Sequence, residues 1–303
     1  GIRSFFIGKG EKEMRKNILL LIIVLLLLLS GCQKKSNKFT VGVLQWADHP
    51  ALQVSYEAMK EKLGDLDPKG NIVVKHEVAN EDMGQARMIS QKFVQDGVDL
   101  IYAIATPSAQ AAKKIAEENN VPIIFSAVSD PLAAGLLEND KNPEGLITGT
   151  SDLPPLNKQI DLILEILPEL KTLGLIYNTG EVNSANQVLE VSKIVEASKR
   201  NVKVVGISSS SELASGSAQV VKDSDAVFVV NDNMVVSGLS LLISVANKNK
   251  VPVFIAEESP FDQGILASES ISYEALGHES AQMIYDVLIN NKEISQFSVK
   301  RAE

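Results

Sequence analysis

From Phe39 onward, short runs rich in Val, Ile and Leu alternate with longer segments whose apolar residues recur every three or four positions. Such alternation predicts parallel strands covered by helices on both faces. The pattern predicts a first unit with strands over 39–44, 72–78, 100–103, 122–125 and 146–149 and helices over 50–63, 83–95 and 108–119. Leu52, Tyr56, Met59 and Leu63 make the apolar stripe of its first helix. A second unit follows, with helices over 154–167, 184–199, 211–221 and 235–247 and strands over 172–177, 203–206, 226–230 and 251–255. A strand over 264–267, a helix over 273–290 and an extended piece near 297–300 come last.

The segments VGVLQWADHPALQVSYEAMKEKLG and LGLIYNTGEVNSANQVLEVSKIVEA both read as strand, polar loop and long helix. The fold class is therefore α/β: two Rossmann-like lobes with parallel sheets, joined by a multi-strand hinge. The late strand and helix are placed back on the first unit, so lobe 1 takes 39–152 plus 259–291. Lobe 2 and the hinge take 153–258 plus 292–303. Two lobes joined this way close around a cleft.

Ligands in open parallel sheets sit beyond the carboxyl ends of the strands. Those ends read Gln45-Trp46, Ala105-Thr106-Pro107-Ser108, Ser126-Ala127-Val128-Ser129-Asp130, Thr150-Ser151-Asp152, Asn178-Thr179-Gly180, Asn231-Asp232-Asn233 and Glu257-Glu258. Several also start helices, whose unpaired N–H groups attract a carboxylate. The same residues serve equally as caps and turn formers. Trp46 is the only tryptophan and stands just past the first strand, where an exposed indole stacks on a planar ligand or else packs a loop onto its lobe. Asp152, Asp232 and Glu257 are candidate partners for a ligand ammonium, with capping as the other reading.

The segment before Phe39 is different in kind. Ile18 to Leu29 is an unbroken run of Ile, Leu and Val behind Arg15 and Lys16, short of the ~20 residues that span a bilayer. It runs into Leu29-Ser30-Gly31-Cys32, which contains the only cysteine. The pattern resembles the bacterial lipobox, which implies cleavage before Cys32 and acylation of its thiol, with a second acyl chain making the anchor durable. Residues 1–31 are then leader and signal peptide, with Met14 as the natural start, and 32–38 are a tether. Lys and Arg number 29 against 38 Asp and Glu, a net charge of −9. The leader's five basic residues and two glutamates carry +3 of the total, so the chain beyond it stands near −12. That charge excludes a nucleic-acid partner.

Beyond the lipobox, the segments FSAVSDPLAAGLL, ITGTSDLPPLNKQIDLILEILPELKTLGLIYNTGEVNS, NDNMVVSGLSLL and ALGHESAQ resemble the substrate-binding lipoproteins of ABC importers related to the tryptophan-binding, TrpX-like group. The resemblance spans nearly everything from Phe39 on. It implies a type I periplasmic-binding fold, an aromatic amino acid ligand such as tryptophan or phenylalanine, a permease with its ATPase as partner, and a monomer lipid-anchored on the extracytoplasmic face of the cell membrane. It also implies that Ser126, Ser129 and Asp130 of the FSAVSDP loop and the turn Gly149-Thr150-Ser151-Asp152 face the ligand's carboxylate and ammonium, that Asn178, Asn183 and Ser184 meet it from the second lobe, and that Asp232 completes the closed site. Of these, Ser126, Ser129, Asp152, Asn178, Asn183, Ser184 and Asp232 form the candidate ligand-binding set with Gln45, Trp46, Thr106, Ser108 and Glu257.

No catalytic residue, cofactor or metal is expected. G-x-S-x-G, G-x-x-x-x-G-K-[ST] and H-E-x-x-H motifs are lacking, and His49, His76 and His278 are scattered. A sugar-responsive repressor shares the fold, but a lipid signal stands where its DNA-binding segment would be. A receptor of the same architecture for a nucleoside or a branched-chain amino acid remains the alternative.

Overall fold

The computed structural model describes residues 38–143, 145–258, 264–267 and 270–301. The lipobox with Cys32, the leader and most of the tether lie outside the described residues. The first lobe alternates β1 (Phe39–Gln45), α1 (Pro50–Leu66), β2 (Ile72–Val78), α2 (Met83–Gln95), β3 (Leu100–Ile104), α3 (Thr106–Glu118), β4 (Ile123–Ser126) and β5 (Ile147–Ser151). The second has α4 (Leu156–Ile166), β6 (Thr172–Asn178), α5 (Val182–Ala197), β7 (Asn201–Ile207), α6 (Leu213–Val221), β8 (Ala226–Val229), α7 (Asn233–Ser237), α8 (Leu239–Asn249) and β9 (Val253–Ile255). α9 (Tyr273–Leu288) and β10 (Lys300–Arg301) follow.

The first sheet has the order β10-β5-β4-β3-β1-β2 and the second β7-β6-β8-β9, with every pair parallel. Each lobe therefore reverses strand order beside its first strand, between β1 and β3 and between β6 and β8. Ligands of open parallel sheets sit at such switch points, where Trp46, Ala105 and Val230 follow their strands and Asn178 ends β6. Both faces of the central strands are covered, so β3, β4 and β8 are buried at every residue. A Cβ on Gly42 would come 2.7 Å from the Phe93 ring, which explains why β1 carries glycine where α2 crosses it.

The chain end departs from expectation in two ways. Residues 264–267 form no strand: Gly264 has φ +94°, which breaks the extended path, and one backbone bond, Leu266 N–H to Val253 O, ties the stretch to β9. Ile265 is buried in the second lobe's core, so this piece belongs with that lobe. Lys300–Arg301, by contrast, pair with Thr150 and Ser151 and cover the open edge of β5 in the first sheet. Arg301 also reaches Asp140 at 3.5 Å. α9 packs on the first lobe as expected. A Cβ on Gly277 would clash with Ser55 O, so glycine there lets α9 lie directly on α1. The helix expected over 235–247 is split at Gly238 into α7 and α8.

Candidate functional site

The carboxyl ends of the two sheets face each other across a narrow polar cavity lined from both lobes. Leu52, Ala127, Ser129, Asp152 and Tyr273 line it with Asn183, Asn231, Asp232, Asn233 and Glu257. Five of the expected residues, Ser129, Asp152, Asn183, Asp232 and Glu257, are thus brought together there.

On the first lobe, two alanines turn out of the sheet with positive φ, Ala105 at 79° and Ala127 at 55°. Non-glycine residues in that region are strained and are held there by their surroundings, as at binding sites. Ala105 leads into α3, whose N-terminus has no side-chain cap. Thr106 and Ser108 stand in its first turn, and the fully buried Ser108 Oγ has no hydrogen-bond partner. Thr106 and Ser108 lie outside the cavity lining, at a helix start whose free N–H groups suit a carboxylate.

On the second lobe, Glu181 precedes α5 and gathers N–H donors. Asn178 Nδ2 and Met234 N–H reach Oε1, while Asn183 Nδ2 and the backbone and side-chain N–H of Asn233 reach Oε2. Asp232 caps α7: its Oδ1 accepts from Val235 N–H at 2.9 Å and its Oδ2 from Asn178 N–H at 2.6 Å. Burial raises the pKa of Asp232, and burial together with the charge of Asp232 pushes Glu181 up to about 8. Asn183 Nδ2 and Ser184 Oγ both donate to Asn231 O, fixing the turn after β8. Asn183 Oδ1 and Asn231 Oδ1 are buried with no partner, two acceptors at the cavity.

Contacts across the cleft hold the lobes together. Asn231 Nδ2 donates to Asp152 Oδ2 at 3.0 Å and to its backbone oxygen at 3.2 Å. Ser129 Oγ donates to Asp152 Oδ1 at 2.9 Å, and Tyr273 OH to Oδ2 at 2.7 Å. His49 Nε2 meets Asn233 Oδ1 at 3.3 Å, and Ser237 Oγ donates to Glu81 Oε1 at 2.5 Å. Burial pushes the His49 pKa down to about 4. Burial likewise raises Asp152 against its three donors and, with the charge of Asp152, lifts Glu257 well above the carboxylate range. No Lys or Arg pairs with Asp152, Glu181 or Asp232 among the described residues. No three His, Cys, Asp or Glu among them converge as a metal site either.

Other expected residues have structural work. Trp46 is only 5% exposed and packs in the first lobe's core, so the exposed indole expected at the cleft mouth is corrected; its Nε1 has no partner. Gln45 is tied to Ala47 O and to His76, away from the cavity lining. Ser126 bonds Ser55 and Thr150 in a hydroxyl network beneath the sheet end, and Asn178 braces the turn into α5. The sequence reading missed Glu181, Tyr273, Leu52 and His49 as parts of the site. Only Glu181 carried a signal, an acid directly before a helix beside the Asn178-Thr-Gly turn.

Two parallel-sheet lobes that close on a buried polar cavity define a type I periplasmic-binding protein. The family model for ABC transporter substrate binding protein matches residues 40–302, and the chain belongs to that family. It is 39% identical over 252 residues to a tyrosine-binding protein of Clostridioides difficile (strain R20291), covering 82% of this chain and 72% of that one. It matches the ABC domain in complex with L-Trp from Streptococcus pneumonia with a TM-score of 0.83 at 30% identity, over 87% of this chain and 89% of that one. The ligand-free, open structure of a Clostridium difficile substrate binding protein with adhesive properties is 35% identical over the same shares, yet its TM-score is 0.63. The lobes here are therefore arranged more as in the L-Trp complex than as in that open structure. Family membership makes the chain an extracytoplasmic binding protein that serves an ABC transporter, and not an enzyme. Among the described residues no helix is long and apolar enough to cross a membrane.

Because both Asp232 oxygens satisfy backbone N–H groups, Asp232→Ala should destabilise the ligand-free protein by about 1–3 kcal/mol. Chemical denaturation checks this, and unchanged stability combined with lost ligand binding would reverse the assignment from cap to ligand contact.

Proposed function

We propose that the chain captures an aromatic L-amino acid between its lobes and presents it to an ABC permease. The observation that carries this reading is a closed cavity walled by buried carboxylates from both lobes, with no protein cation paired to Asp152 or Asp232 among the described residues. A buried carboxylate calls for a partner charge, and a ligand ammonium supplies it. Asp152, with the unpartnered Oδ1 atoms of Asn183 and Asn231, forms the ammonium side. The uncapped start of α3, with Thr106 and Ser108, receives the ligand carboxylate. Leu52, Ala127 and Tyr273 offer apolar and aromatic surface to the ring. The names of the tyrosine-binding relative and of the L-Trp complex support an aromatic side chain over a branched aliphatic one.

Calorimetric titration should give binding heat with L-tyrosine, L-tryptophan or L-phenylalanine and little with leucine or adenosine. Binding of leucine or adenosine alone would refute the reading.

We also propose that Cys32 carries the lipid that holds the receptor beside its transporter, as the Leu29-Ser30-Gly31-Cys32 pattern supports. Tethering raises local concentration without adding a binding contact. Cys32→Ala should move the protein from the membrane fraction to the soluble extracytoplasmic fraction; unchanged membrane retention would contradict the anchor.

A further inference from the structure

Three oxygens at the hinge need more hydrogens than ionised side chains bring. Tyr273 OH lies 2.7 Å from Asp152 Oδ2 and 3.3 Å from Glu257 Oε2, so these two carboxylate oxygens stand within about 6 Å of each other. A phenol has one hydrogen to donate. The shorter contact marks Asp152 as its acceptor, and Ser129 Oγ and Asn231 Nδ2 donate to the same carboxylate. A hydrogen on Glu257 would turn the longer contact into a second hydrogen bond, donated to the phenolic oxygen.

Counting charges leads to the same place. Asp152, Asp232 and Glu257 line the cavity, and Glu181 is near enough to Asp232 for their charges to interact. A zwitterionic amino acid adds one ammonium but also one carboxylate. The closed site would stay strongly negative in a water-poor interior unless protons entered with the ligand.

We propose that closure on the ligand takes up a proton at Glu257, so that the hinge closes as a directed chain from neutral Glu257 through Tyr273 to ionised Asp152. The inference rests on the amino acid reading above and adds a proton linkage to it. Among the described residues, the acids acting on Glu257 and its partner include Asp152 after β5, Asp232 and Glu181 from the second lobe, and Glu258, which accepts the Tyr273 N–H at 3.1 Å. The raised closed-state pKa of Glu257 fixes the sign: the open state holds fewer protons, so affinity falls as pH rises above the ordinary carboxylate range. His49 acts in the opposite sense, because burial pushes it down to about 4 and closure releases its proton. At about pH 7.5, a unit above the ordinary histidine value, His49 is largely neutral in both states and leaves the Glu257 linkage visible.

The test is calorimetric titration of the intact protein with L-tyrosine, L-tryptophan and L-phenylalanine at about pH 7.5, in phosphate and in Tris, whose ionisation heats differ. The wild type should take up about one proton more than Glu257→Gln. The amide imitates the neutral acid without drawing a proton from solvent, so the variant's affinity should lose the wild type's decline between about pH 7.5 and 8.5. Equal uptake by the two proteins, zero included, overturns the proposal. So does a wild-type affinity that does not weaken as pH rises from about 7.5 to 8.5, a result that needs no variant to fold. Absence of heat with all three amino acids refutes the ligand reading itself, and the proton linkage falls with it.

Discussion

A carboxylate taken out of water without a counter-charge is unfavourable by several kcal/mol, and this fold takes Asp152, Glu181 and Asp232 out of water together. Around that constraint the polar architecture of the cleft is arranged. Asparagines at 178, 183, 231 and 233, the hydroxyls of Ser129 and Tyr273, and the backbone N–H groups of α7 all point hydrogens at these acids. Opening the lobes returns the acids to solvent, and closing them requires positive charge or protons. The same electrostatics therefore selects an ammonium ligand and makes closure depend on having one.

The two lobes reach this arrangement by one topology used twice. Each reverses its strand order beside its first strand, and residues beyond the strand ends of both sheets line one cavity. The hinge adds the third element. β5 leads into Asp152 and β9 toward Glu257, and α9 begins at Tyr273, so the residues joining these two acids sit where the chain passes between lobes. A proton shared along those segments links the chemistry of the site to the motion of the hinge.

The strands and most helices were legible because β-branched runs and three-to-four spacing report burial directly, residue by residue. Glycine altered the rest: Gly238 divides a helix whose apolar pattern runs on through it, and Gly264 removes a strand from a segment that looks extended. Asp152, Asp232 and Glu257 were legible as candidates because each stands at a strand end. Tyr273 and His49 were not, because their roles depend on partners far away in the chain. Tyr273 reads locally as the first residue of a helix, while its hydroxyl serves Asp152, 121 positions earlier. Trp46 misled for the converse reason: position past a strand suggested exposure, but the loop folds back and buries it in the core.

The central claim is that the cavity selects its ligand through the ammonium. The most direct measurement compares the best-binding aromatic amino acid with its deaminated counterpart, which keeps the ring and the carboxylate and lacks only the amino group. The account predicts that the counterpart binds at least about 100-fold more weakly, as expected when one member of a buried ion pair is removed. Equal affinity for the two would contradict it.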